Sequence, residues 1–120
     1  MRVEFAGYAT AADQELNSFT MAAVGSGTTM HHLQSMSGLD DAFEWFGGSV
    51  NGRYLVSYES GDDHFDASEG YVGKNQFLIA LQTGLLDPAP GTGGIGDDPH
   101  GFEIDGCNGS GCVAPAGGSA

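Results

Sequence analysis

Apolar residues in this chain fall in short runs that alternate or cluster over five or six positions. Met30-His31-His32-Leu33-Gln34, Arg53-Tyr54-Leu55-Val56-Ser57-Tyr58 and Gln76-Phe77-Leu78-Ile79-Ala80-Leu81 are such runs, and Gly/Asp/Ser turns separate them. Val3-Glu4-Phe5-Ala6-Gly7 reads as a further strand. No window carries an apolar stripe at helical spacing for three turns, so the pattern predicts an all-β chain.

The runs recur at a fixed offset. Asp40-Asp41-Ala42-Phe43-Glu44 aligns with Asp62-Asp63-His64-Phe65-Asp66, 22 positions on, and the same offset carries Leu33 onto Leu55, Gly48 onto Gly70, Val50 onto Val72, Leu55 onto Phe77 and Val56 onto Leu78. A third acidic corner, Gly96-Asp97-Asp98-Pro99-His100-Gly101-Phe102-Glu103, repeats it with a two-residue insertion. A period in the low twenties leaves leucine-rich repeats or β-solenoids. The leucine-rich pattern is missing, so the repeat predicts a right-handed parallel β-helix of about four to five coils, each of about 22 residues, with strands stacked about 4.8 Å apart. Stacking places Phe43 over Phe65 and Trp45 over Ala67, makes Leu33, Leu55 and Phe77 an inward ladder, and assigns glycines to corners where φ turns positive.

At 120 residues the chain is long enough for one domain, with repeats over 1–106, a long Pro/Gly loop over 85–96, and a Cys-framed turn and Gly/Ala/Pro tail over 107–120. Sixteen acidic residues against three basic ones give a net charge of −13, which excludes nucleic acid and anionic membrane as partners. A hydrophobic fraction of 40% with twelve aromatics excludes a disordered acidic tail. No apolar run approaches the roughly 18 residues needed to insert in a bilayer, and any export signal would lie outside this chain. Cys107 and Cys112 frame Asn108-Gly109-Ser110-Gly111, a tight-turn sequence across which a disulfide can form; two unpaired thiols is the alternative, and four-residue spacing without a second pair is a poor zinc site.

The segments Val3–Gly7, Gly25–Thr29, Asp40–Asn51, Tyr54–Val56 and Gly70–Phe77, above all the DD-x-FEWFGG-x-V run, resemble a family of secreted or outer-membrane-anchored bacterial proteins built on a right-handed parallel β-helix. The resemblance spans roughly Arg2 to Asp105. It implies a fold and an extracellular or cell-surface location, and no established activity. Members are usually longer, and the missing repeats after Gly106 suggest a short or truncated member.

Stacked coils would bring Asp40, Asp41, Asp62, Asp63, Asp97 and Asp98 into adjoining acidic steps, with Glu44, Asp66 and Glu103 beside them. Close like charges raise each other's pKa unless a cation, hydrogen bonds or protons offset them. Calcium, which takes hard oxygen ligands, is one reading, with Asp66 among its ligands. The simpler one has the first Asp of each pair capping a turn through backbone N–H groups and the second facing water. His31, His32, His64 and His100 raise transition-metal binding, but exposed polar histidine is the default for each, even though His64 and His100 flank equivalent corners. Arg53 and Lys74 lie almost one period apart and could join the carboxylates in acid–base work on sugars; charge relief is the simpler role. Tyr54, Tyr58, Tyr71 and Trp45 could form a sugar-stacking strip, with Trp45 better placed in the core.

These readings favour a structural, adhesive or ligand-binding surface module with no established enzymatic activity, calcium-stabilised if the corners bind the ion. A polysaccharide-binding or polysaccharide-cleaving domain is the alternative. Open solenoid ends further predict either homo-oligomer formation or a piece of a longer solenoid.

Overall fold

A computed structural model describes residues 1–8, 11, 16–91 and 99–107. Among the described residues, eight strands alternate between two four-stranded parallel sheets. The first sheet holds β1 (Arg2–Glu4), β3 (Thr29–Gly38), β5 (Asn51–Ser60) and β7 (Asn75–Leu81), in that order. The second holds β2 (Thr20–Ala22), β4 (Glu44–Phe46), β6 (Asp66–Ser68) and β8 (Glu103–Ile104). Each strand pairs with the next one in its own sheet, so the chain winds as a parallel β-helix. Among the described residues there is no helix, and so none long and apolar enough to cross a membrane.

The core forms because inward positions repeat in register. Phe43 stacks on Phe65 with ring centroids 5.4 Å apart, and Phe19 and Phe102 extend the column at 4.8 and 5.2 Å. Trp45 faces Ala67 and stacks on Tyr71 at 5.4 Å, so a large side chain lies beside a small one. Phe43, Val50 and Leu55 are fully buried, which makes the middle coils the best-packed part of the molecule.

The 22-residue offset holds from β3 to β5, where Leu33 faces Leu55, and from β4 to β6. It fails elsewhere because extra residues enter between strands: Arg2 faces Gln34, 32 positions on, and Asp66 faces Glu103, 37 positions on. From β5 to β7 the offset is 23, so Leu78 faces Leu55 and Ile79 faces Val56. Phe77 is therefore not the third rung of the inward leucine ladder. It lies outside, 57% exposed, stacked on Tyr54 at 4.8 Å. The extra residue sits in the turn before β7, where Val72 is exposed and Gly73, not Val72, follows Val50 in the stack. A Cβ on Gly73 would collide with the Val50 carbonyl and the Tyr71 hydroxyl.

Glycine makes fewer of the corners than expected. Three columns of left-handed residues bend the coil: Phe5, Ser37 and Glu59; His32, Tyr54 and Phe77; and Ala23, Gly47, Glu69 and Gly106. Eight of these residues are not glycine and have φ between 52° and 61°. Each such residue costs about 1–2 kcal/mol, which the packing of equivalent corners on one another offsets.

Of the long loop over 85–96, residues 85–91 are described and contain no strand; they wrap back toward Phe5 and Tyr8 around a cavity of about 590 Å³. Residues 92–96 lie outside the described residues, as does the tail beyond Cys107. Cys107 itself carries a disulfide bond, and Cys112 lies outside the described residues.

Candidate functional site

In the second sheet, strand register puts an acidic residue at the same position of three successive coils, with Glu44 facing Asp66 and Asp66 facing Glu103. These three, with Asp40, Asp41 and Asp62 from the adjoining corners, line one side of a groove of about 580 Å³. Leu16, Asn17, Thr20 and Phe46 line the rest. Carboxylate oxygens of Asp41, Glu44 and Asp66 lie within 4.8 Å of one another, and so do those of Asp40, Asp41 and Asp62. Asp41 is common to both groups.

Burial sets the electrostatics. Desolvation pushes the Asp41 carboxyl up to about 9, against the hydrogen bond from the Asp63 amide, with Asp40, Glu44 and Asp66 adding repulsion. Glu44 rises to about 8, again chiefly by desolvation, and a hydrogen bond from the Asn17 side-chain amide works against the rise. Asp66 rises by burial as well, while its hydrogen bond with Glu44 opposes that shift. Glu103 reaches about 7, first through its hydrogen bond with Asp63. Near neutral pH the Asp41 and Glu44 carboxyls therefore favour their protonated forms. Among the described residues lining the groove, two oxygens, Asp66 Oδ1 and Asn17 Oδ1, are buried without a hydrogen-bond partner.

In the two described pairs the second aspartate does not face water: Asp41 and Asp63 are buried and span coils, and Asp40 is as buried as Asp41. Asp41 Oδ1 accepts the Asp63 amide at 2.9 Å, and Asp63 Oδ1 accepts the His100 amide at 2.6 Å. Asp63, 1% exposed, thus acts as a strut rather than as a member of either carboxylate group. Asp97 and Asp98 lie outside the described residues.

Arg53 and Lys74 do not line the groove. Arg53 is on β5 of the first sheet, with its guanidinium 5.9 Å from the Tyr54 ring and 5.6 Å from the Phe77 ring. Lys74 precedes β7, and its amide bonds Asn51 Oδ1. The anticipated tyrosine strip is split as well. Tyr54 is exposed, Tyr71 packs on the buried Trp45 and donates its hydroxyl to the Val50 carbonyl at 2.6 Å, and burial raises its pKa.

His64 is a core residue, 3% exposed, with Nδ1 2.5 Å from Ser57 Oγ, and burial lowers its pKa. His64 and His100 do approach, but through their backbones, since the His64 amide donates to the His100 carbonyl at 3.0 Å.

Two groove features escaped the sequence reading. Asn17-Ser18-Phe19-Thr20 occupies the place of Asp41-Ala42-Phe43-Glu44 one coil earlier, because Thr20 faces Glu44. Amide replaces carboxylate and hydroxyl replaces carboxylate, so a search for acidic corners passes over it; treating Asn as Asp and Thr as Glu would have found it.

Neither a curated protein nor a solved structure matches the chain. A family model described as a pectate-lyase-like beta helix domain matches residues 1–101. That match agrees with the stacked parallel strands, and the chain belongs to the pectate-lyase-like beta helix domain family.

Proposed function

We propose that the chain is an extracellular ligand-binding surface module whose acidic groove holds calcium. The observation that carries this reading is Asp66 Oδ1, a buried carboxylate oxygen with no partner, beside the carboxylates of Asp41 and Glu44. A hard divalent cation serves that oxygen, displaces the protons held by Asp41 and Glu44 and cancels the repulsion between coils. Three protein carboxylates leave room for water or a ligand oxygen to complete a shell of six to eight. Calcium uptake then ties neighbouring coils together and stiffens the surface that meets a cell-surface or polysaccharide ligand.

The test is a thermal melt in millimolar calcium and in chelator, paired with calcium titration in weakly buffered solution at pH 7. The expected result is a higher midpoint with calcium, and proton release that disappears in Asp66→Asn. An unchanged midpoint overturns the reading.

Action on polysaccharide is the second reading, favoured by the family and by Glu44, a carboxyl that keeps its proton near neutral pH in a groove shared with Asp66. Incubation with anionic and neutral polysaccharides distinguishes the two. Chain cleavage that is lost in Glu44→Gln would replace the binding role with an enzymatic one.

A further inference from the structure

Successive side chains of a strand point to opposite faces, so neighbouring residues do not meet. The bend at the middle column of left-handed corners breaks this rule. In β3 Met30 is buried, His31 and His32 are both exposed, and Leu33 returns inward; β5 repeats the pattern with Arg53 and Tyr54, and β7 with Gln76 and Phe77. The left-handed φ of 52° at His32 therefore turns two consecutive imidazoles to the same side. Their Nδ1 atoms are 2.9 Å apart and the rings lie edge-on at 5.0 Å. The His32 ring is braced from below by Tyr54 at 4.6 Å, and Met1 donates its amine to the His32 carbonyl at 3.0 Å.

We infer that His31 and His32 form a two-imidazole chelate for a divalent transition metal, copper(II) or nickel(II), on the outer face of the first sheet. Two metal–nitrogen bonds of about 2.05 Å at a right angle span about 2.9 Å, whereas a tetrahedral angle spans about 3.3 Å. The observed separation thus suits the square or octahedral geometry of copper and nickel over tetrahedral zinc. On binding, the ring that carried its proton on Nδ1 takes the Nε2–H tautomer, which frees both Nδ1 lone pairs for an ion lying to one side of the line between them. The fold imposes the bend, since the same kink recurs one and two coils on, so the pair is held in place before the ion arrives. Arg53 faces His31 across the ladder, and its guanidinium is drawn over Tyr54 and Phe77 toward the next coil. The net charge of −13 raises the local concentration of cations around the whole molecule. Water or an incoming ligand fills the remaining coordination positions, which leaves the ion open to exchange.

The test is copper(II) titration of the full chain at neutral pH with calcium in millimolar excess to occupy the carboxylates, read by electron paramagnetic resonance and by affinity. One copper per chain with two-nitrogen coordination is expected. His31→Gln and His32→Asn, the latter chosen because Asn tolerates left-handed φ, should each remove one nitrogen and weaken binding at least about tenfold. His100→Gln should leave the spectrum unchanged. Two-nitrogen coordination that survives in either variant of the pair, copper bound through oxygen alone, or loss of the signal in His100→Gln overturns the assignment.

Discussion

Glu44 and Asp66 face each other across neighbouring strands of the second sheet, with carboxylate oxygens within 4.8 Å of one another. Two carboxyls that close favour holding a proton over carrying two charges, and this makes the groove a titrating element of the fold.

Asp41 and Glu44 have folded-state pKa values raised to about 9 and about 8, and Asp66 is raised too. A carboxyl raised by folding favours the folded state fully below its unfolded value near 4, and that contribution is lost as pH climbs through the folded value. Without calcium, the melting midpoint should therefore fall as pH goes from 5 to 9. Asp41→Asn keeps the oxygen that accepts the Asp63 amide and removes the titration, so it should raise stability at pH 8 by about 1–3 kcal/mol. Denaturant melts at pH 5 and pH 8 check both points.

His64 works in the other direction. Burial lowers its pKa, so its contribution is present above the unfolded value near 6.5 and is lost as pH falls through the lower folded value. Nuclear magnetic resonance titration of the ring should place its midpoint below 6.5. The same acid range should bring a loss of stability in the wild type that is reduced in His64→Gln.

Phe43 is fully buried, with Phe19 on one face and Phe65 on the other. Phe43→Ala removes the middle ring of the column and should cost about 3–5 kcal/mol, while Phe102→Ala, at an exposed end position, should cost far less. Urea unfolding of the two variants gives the comparison.

Ala23 and Gly47 hold equivalent places in one corner column, with φ of 52° and 62°. Ala23→Gly should stabilise the chain by about 0.5–1 kcal/mol, since relief of the left-handed strain exceeds the added freedom of the unfolded chain. Gly47→Ala should destabilise it by about 1–2 kcal/mol, because the new Cβ adds that strain and meets the Glu69 carbonyl at 3.0 Å. Thermal melts of both variants test the column directly.

The stacked architecture was legible because like side chains recur wherever the ladder demands them. Phe43 with Phe65 and Trp45 with Ala67 appear in the sequence at the spacing they have in space. The slip at Phe77 was not legible. Phe77-Leu78-Ile79-Ala80-Leu81 is apolar on both faces, so nothing in its alternation sets the register, and a single residue in the preceding turn decides it. The strained corners were hidden for a different reason. Local preference points to glycine at positive φ, and at Tyr54 and Glu59 stacking against neighbouring coils overrides it. In the groove, the acidic positions could be read from their spacing. The strut role of Asp63 could not, since it depends on the His100 amide, which the fold brings in from 37 positions on.

The spacing between equivalent residues is 32, 22 and 23 along the first sheet, while the strands themselves stay in step. The molecule counts turns and not residues. Length can enter or leave at the connections freely, as it has before β2 and before β8, while one residue gained inside β5 would reverse which side chains reach the interior. A chain built this way can change the size and shape of its outer loops without altering the scaffold that carries them.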